Sequence, residues 1–189
     1  MEIENALTIT NRQDLRNWLA VHSSTESFCW VVINKTETSE VVQYLDIVEE
    51  ALCFGWIDGI KKKISDTESA QRLSPRKNKS NWTELNKERV RRLEKLGLMT
   101  EAGLKVLPDM CPESFIIDQV IETRLKEDDQ VYQNFISFPE LYRRIRIDNI
   151  QAYKNDPELF NRRLDKFIES TRANKLYGQW HDNGRLLNY

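Results

Sequence analysis

Apolar residues recur with a helical period near the start of this chain. Leu15, Trp18, Leu19 and His22 fall at i, i+3, i+4 and i+7, and Thr10 with Gln13 forms a capping-box pattern that predicts a helix from about Asn11. The run Phe28 to Ile33 is β-branched and aromatic and predicts a buried strand. Thr36 to Ser39 supplies a turn, and Ser39 is placed to cap a helix whose stripe is Val41, Tyr44, Leu45, Val48, Ala51 and Leu52, stopped by Gly55. Trp56 to Ile64 reads as a strand with a bend at Gly59, and a second strand near Ala70 to Ser74 pairs with it across the polar turn at Asp66 to Ser69. Ser80 is the expected cap of a helix carrying Leu85, Val90, Leu93 and Leu96, with Gly97 as its left-handed C-terminal residue.

Beyond this point the pattern is helical throughout. Thr100 opens a short helix that stops before Pro108, and the segment Pro108 to Glu113 is the best boundary in the chain. Asp118 caps residues 119–126, and a further short helix holds Val131, Phe135 and Ile136. Ser137 and Glu140 form a second capping-box pattern before a helix through Leu141, Ile145 and Ala152. Asp156-Pro157-Glu158 combines a cap, a first-turn proline and a first-turn acid ahead of Phe160, Leu164, Phe167 and Ile168. The aromatic tail from Tyr177 to Tyr189 is expected to dock. The predicted architecture is α+β: a small antiparallel sheet of about three strands flanked by helices in residues 1–108, then an all-helical extension packed on it in 109–189.

Composition narrows the class. Of 189 residues, 40% are hydrophobic and 31% charged, ordinary for a globular protein. No apolar run is long enough to span a bilayer, and the N-terminus lacks the features of a signal peptide, so no membrane insertion is expected. Cys29, Cys53 and Cys111 are odd in number and widely spaced, which suits buried free thiols in the cytoplasm. Only two histidines, His22 and His181, are present, and no Gly-rich phosphate loop occurs, so no metal or cofactor is expected. Charge is unevenly spread. Residues 1–60 hold 3 basic and 10 acidic side chains (net −7), residues 61–95 hold 12 and 5 (+7), and residues 96–189 hold 13 and 15 (−2). The basic block signals either internal pairing with the acidic one or a face that attracts anions.

The candidate site is Trp56, Asp58, Arg72, Ser74, Arg76, Ser80, Trp82 and Asn86. On neighbouring strands, Trp56, Asp58 and Ile60 would share one face, and Arg72, Ser74 and Arg76 would alternate with Gln71, Leu73 and Pro75. Arginine offers a planar fork for carboxylate or phosphate, tryptophan a stacking surface, and the helix start at Ser80 free amides for an anion. The competing reading is an ion pair between Asp58 and Arg76 or Arg72 that fixes the sheet.

The runs Ala51 to Gly59, Arg72 to Arg76, Ser80-Asn81-Trp82, Asn86 and Gly97-Leu98-Met99 resemble the YdeI/OmpD-associated family, whose members are also called bacteriocin-protection proteins. Phe138 to Tyr142 and Tyr177-Gly178-Gln179-Trp180 resemble the helical extension of some members. The resemblance implies a bacterial stress or antimicrobial-peptide protection role without an established reaction. The expected function is therefore a binding protein whose Trp/Arg/Asp face recognises a small anion or a peptide. Two alternatives stand beside it. One is a small enzyme using Asp58 as acid/base with Arg72 or Arg76 as anion holder. The other is a nucleic-acid-binding protein using Lys61, Lys62, Lys63, Arg76, Lys77 and Lys79 on phosphates with Trp82 stacking.

Overall fold

The computed structural model describes residues 3, 6–34, 42–77 and 80–189, which divide into two compact units. The first comprises Met1–Asn81 and Arg89–Pro108, the second Trp82–Glu88 and Asp109–Tyr189. The predicted turn at Thr36 to Ser39, the cap at Ser39, Val41 and Lys79 lie outside the described residues. No described helix is long and apolar enough to cross a membrane.

The first unit holds strands β1 (Ala6–Leu7), β2 (Cys29–Asn34), β3 (Trp56–Lys63) and β4 (Glu68–Pro75). Its helices are α1 (Arg12–His22), α2 (Tyr44–Cys53), α4 (Glu101–Leu104) and the later part of α3 (Glu84–Lys95). The sheet order is β1-β2-β4-β3, antiparallel except that β1 runs parallel to β2. Three of these strands are those the alternation predicts. The two-residue β1 is too short to show an alternation, and its pairing makes the sheet mixed.

Cross-strand partners share a face. Cys29, Val31 and Ile33 lie opposite Leu73, Gln71 and Ser69, and all six are buried. α2 packs on α1 and β3. The register of β3 against β4 slips between Asp58 and Lys61, a bulge at the predicted bend. The buried Gln71 amide donates to the Gly59 carbonyl at 2.8 Å, satisfying a group that the bulge removes from the ladder.

The helix ends show where local signals prevail. Asn11, not Thr10, caps α1 by accepting from the Asp14 amide, while the Thr10 hydroxyl donates to the Asp14 carboxylate at 2.7 Å. Ser80 does not cap α3. That helix starts at Glu84, whose amide donates to the Asp148 carboxylate at 3.0 Å, while Thr83 Oγ1 accepts from the Asn86 amide. Gly97 ends α3 with φ +69°, and the Leu98 amide returns to the Leu93 carbonyl. Gly103 permits a close approach: a Cβ there would lie 2.2 Å from the Cys53 carbonyl oxygen, which the Thr100 hydroxyl also meets at 2.7 Å.

Two consecutive carboxylates of α2 are withdrawn from water. Glu49 is 0% and Glu50 1% exposed. Arg12 spans both, Nε to Glu50 at 2.5 Å and Nη1 to Glu49 at 2.6 Å. Arg16 adds a bond to Glu50 at 2.9 Å, and Arg92 one to Glu49 at 3.0 Å. Burial pulls the Arg12 guanidinium down, but Glu50 and Glu49 outweigh it and hold its pKa above the ordinary value. The Arg92 contact is one place where the basic block is consumed internally.

The second unit is helical, with no strand among its described residues: α5 (Gln119–Lys126), α6 (Asp129–Ser137), α7 (Glu140–Gln151) and α8 (Pro157–Arg172). Asp118, Asp128 and Asp156 cap α5, α6 and α8 with side-chain acceptors. The capping box at Ser137 does not form, because its hydroxyl donates back to the Asn134 carbonyl at 2.7 Å and Pro139 occupies the cap position. Phe135, Tyr142, Leu164 and Phe167 belong to the core, and Trp180 of the tail packs edge-on against Tyr142. Arg144 is buried against Glu84 (3.3 Å) and Glu88 (3.0 Å), and Tyr189 donates to Glu88.

The thiols are free: Cys29 and Cys53 buried, Cys111 exposed. Burial pushes the two buried thiols up to about 12 and about 11.

Glu50→Ala strips two arginines of their shared anion and is expected to cost on the order of 3 kcal/mol in urea unfolding; a loss under about 1 kcal/mol would deny the network a structural role. Asp148 provides a second check. Burial raises its pKa, so the native state holds that proton more tightly and wild-type stability gains as pH falls through the raised value. Asp148→Asn keeps an acceptor for Glu84. It should be at least as stable as the wild type at pH 7.5, and the difference should shrink in melts at pH 4.

Candidate functional site

The eight residues proposed from the sequence are dispersed. Trp56 is 1% exposed, donates Nε1–H to the Ser23 carbonyl at 3.1 Å and meets Trp18 edge-to-face, so it anchors the core. Asp58 lies opposite Leu73 and therefore shares that residue's face; its carboxylate accepts from the Tyr44 hydroxyl at 2.6 Å. The bulge after Asp58 breaks the alternation that would have placed Ile60 beside it. Arg72 pairs with Trp30 and alternates with Leu73, so it lies on the opposite face, stacked on Phe28 at 4.6 Å. Ser74 shares that face opposite Ile57. Arg76 is buried, with Nη1 donating to the Asn81 carbonyl at 3.1 Å and reaching the Ser80 hydroxyl at 3.5 Å. Burial lowers its pKa to about 10, against an upward pull from the Asp58 charge. Trp82 and Asn86 belong to the second unit. The cluster thus divides between two sheet faces and two units.

The basic block divides as well. Lys61, Lys62 and Lys63 are exposed on β3, with Lys61 over Tyr44 and Lys62 over Trp30 at 5.9 and 4.9 Å. Successive strand residues point to opposite faces, so these three do not form one stripe. Arg76 and Arg89 are buried, Arg92 binds Glu49, and Lys87 binds Glu84.

A concave site exists within the second unit. Arg146, Asn149 and Ile150 fall at i, i+3 and i+4 on α7, and Leu159, Arg162, Arg163 and Lys166 at i, i+3, i+4 and i+7 on α8. Each set forms one helix stripe. With Tyr177 they line a cavity of about 400 Å³. Four of the eight lining residues are cationic and none is acidic, and none of the four pairs with a described carboxylate. Nearby arginines do find partners: Arg124 meets Asp165 and Arg172 meets Asp128. The contrast comes from helix geometry, since Glu158, Asp165 and Glu169 stand elsewhere on α8.

Arg146 is held in place by the tail and by Tyr142. Its Nη2 donates to the Gln179 carbonyl, and its guanidinium lies 5.4 Å from the Tyr177 ring centre and 5.9 Å from that of Tyr142. Its Nε is buried without a hydrogen-bond partner. Burial, with the neighbouring Arg163 charge, holds its pKa below the ordinary value despite an upward pull from Tyr177 and Tyr142. Arg163 donates to the Asn149 carbonyl at 3.2 Å and stacks 4.0 Å over Tyr153. Lys166 lies 5.3 Å from the Tyr177 ring centre. Gly178, at φ +71°, makes this possible, because a Cβ there would sit 2.4 Å from Arg146 Nη1. Burial raises the Tyr177 phenol's pKa, although Arg146 and Arg163 pull it down, so the phenol stays protonated near neutrality. Such a lining repels metal cations and suits an anion, with guanidinium forks for phosphate or carboxylate oxygens.

Sequence reasoning missed this pocket. The basic stripe on α8 was visible at helical spacing, and the Tyr177-Gly178 pair lay in a motif already noted. Their convergence required the tertiary fold.

Two family models match the chain. Residues 7–106 match a domain of unknown function (DUF8412), and residues 114–174 match the family described as bacteriocin-protection, YdeI or OmpD-associated. The YdeI/OmpD-associated match thus falls on the helical half, whereas the more distinctive motifs of the resemblance lay before residue 108. No curated protein and no solved structure compared with the chain matches it significantly. The first model covers more than half of the residues, so the protein belongs to the DUF8412 family and carries in its helical half a YdeI/OmpD-associated segment.

Proposed function

We propose that this chain is a cytoplasmic bacteriocin-protection-type binding protein that captures a small anion in the pocket between α7, α8 and Tyr177. The observation that carries the reading is the set of four cationic side chains around one cavity with no acid among its lining residues. Seven of the eight lining residues fall within the segment matched by the bacteriocin-protection model. Binding suits the site better than catalysis, because it offers no carboxylate, histidine or thiol to move a proton or attack a substrate. The three free thiols support a reducing compartment.

Calorimetric titration with inorganic pyrophosphate at low ionic strength is expected to show saturable binding that weakens as salt rises. Arg146→Met and Arg163→Met should each weaken it at least about tenfold, the scale of one charge-assisted contact. Lys105→Met, on the first unit, should bind like the wild type. Wild-type binding that both arginine variants retain would refute the assignment.

Gly178→Ala tests the preorganisation of Arg146. It forces a left-handed backbone on alanine and drives a methyl into the guanidinium. The expected result is a stability loss of about 1–2 kcal/mol together with weakened pyrophosphate binding. Wild-type affinity in this variant would show that the position of Arg146 does not matter.

A further inference from the structure

Resting on the anion-pocket reading, we infer that the occupant is a linear oligophosphate, a bare chain of at least three phosphoryl groups. The places where the cationic heads are held and the hydrogen bonds they can make lead to it.

Arg146 and Arg163 are anchored by different segments. The Arg146 guanidinium donates to the Gln179 carbonyl of the tail and lies near the Tyr142 ring, one turn before it on α7. That of Arg163 donates to the Asn149 carbonyl, one turn after Arg146, and stacks on Tyr153. Tyr142 and Asn149 are about two turns apart, roughly 10 Å along a helix. The two heads are therefore held at separate points of one cavity. Lys166 joins the Arg146 end at Tyr177, whose ring meets both. Arg162, next to Arg163 on α8, adds the fourth cation. Positive charge thus runs along the cavity instead of gathering at one end.

The occupant must match that distribution. A single phosphate gathers its oxygens around one atom and brings about two negative charges. It would answer one end and leave the remaining cations facing one another. A chain of three phosphoryl groups carries charge and acceptor oxygens along its whole length.

Hydrogen-bond chemistry excludes a larger organic part. Lysine and arginine only donate, and the Tyr177 phenol stays protonated near neutrality and donates as well. Asn149 gives its backbone carbonyl to Arg163 and holds the one side-chain amide oxygen of the lining. Ile150 and Leu159 bring no polar side-chain atom. A sugar, base or peptide pressed against this wall would leave N–H and O–H groups short of acceptors. The oxygens of an ionised oligophosphate only accept.

The test is calorimetric titration of the full chain at pH 7.5 and one ionic strength. The probes are inorganic phosphate, pyrophosphate, triphosphate, ATP and citrate. Triphosphate is expected to bind at least about tenfold more tightly than pyrophosphate, the scale of one further charge-assisted contact. ATP, the same chain closed at one end by a nucleoside, and citrate, a polycarboxylate, should both bind more weakly than triphosphate. Arg162→Met, at an exposed position, should shrink the advantage of triphosphate over pyrophosphate at least about threefold. Arg146→Met should weaken both. Equal binding of triphosphate and pyrophosphate, with both sensitive to Arg146→Met, would overturn the oligophosphate and leave the anion pocket standing. An undiminished triphosphate advantage in Arg162→Met would overturn the extended placement of the chain. ATP binding as tightly as triphosphate would overturn the bare chain in favour of a nucleotide, and citrate doing so would overturn phosphate in favour of carboxylate. Absence of binding by all five probes, or binding insensitive to Arg146→Met, would overturn the pocket reading itself.

Discussion

A guanidinium taken out of water must be given an anion, or left where one can reach it, and this constraint organises both units. Arg12, Arg16 and Arg92 converge on the buried Glu49 and Glu50, and Arg144 is enclosed by Glu84 and Glu88. In these sets each carboxylate meets a guanidinium at short range, although Arg12 Nη2 and Arg144 Nε stay without a hydrogen-bond partner, and the desolvation of each charge is offset by its partners. Arg146 follows the other course. Two residues after Arg144 on the same helix, it points about 200° away, since each residue turns the helix by about 100°. There it faces Arg163 and Lys166 rather than carboxylates. α7 therefore places one arginine in a sealed network and another in a cavity able to accept an anion.

Much of the fold was legible because its signals are local. Asp156-Pro157-Glu158 starts α8, Asp118 caps α5, Thr100 caps α4 and Gly97 ends α3, each using groups within a few residues. The failures occur where a distant group overrides a local one. Ser80 is a competent cap by composition, but α3 begins where Asp148, 64 residues away in sequence, accepts the Glu84 amide. The expected cluster divides because Asp58 pairs with Leu73, which leaves Arg72 and Ser74 on the opposite sheet face, and because Trp82 and Asn86 belong to the second unit. Alternation along β3 placed Trp56, Asp58 and Ile60 together, and one bulge at Gly59 and Ile60 broke the pattern. The observed pocket was illegible because its eight residues come from three segments, and only the fold sets Gly178 against Arg146.

The two family matches fit this division of the chain. One model covers the sheet-bearing half and the other the helical half, and the cavity lies in the second unit, with Tyr177 just beyond the matched segment. The Trp/Arg/Asp residues that define the first half by sequence serve packing and strand geometry: Trp56 fills the core, Arg72 covers Phe28 and Arg76 ties its loop to Asn81. Distinctive residues can therefore mark how a fold is held together.

The tail gives the pocket its physical character. Tyr177 donates its amide to the Tyr142 hydroxyl, Gln179 accepts from Arg146, and Trp180 packs on Tyr142, so the wall facing α7 and α8 exists only while the tail is docked. Without the tail, the arginines of the helical hairpin would be free to extend into water and to sample many rotamers. Docking removes that freedom in advance and brings Arg146 beside Arg163; burial chiefly, with a smaller repulsion from Arg163, lowers the Arg146 pKa. An anion in the cavity would relieve that repulsion without ordering Arg146 anew, which is how preorganisation turns folding energy into affinity. Linkage then makes the effect reciprocal: whatever free energy tail docking lends to the anion, the bound anion returns to tail docking.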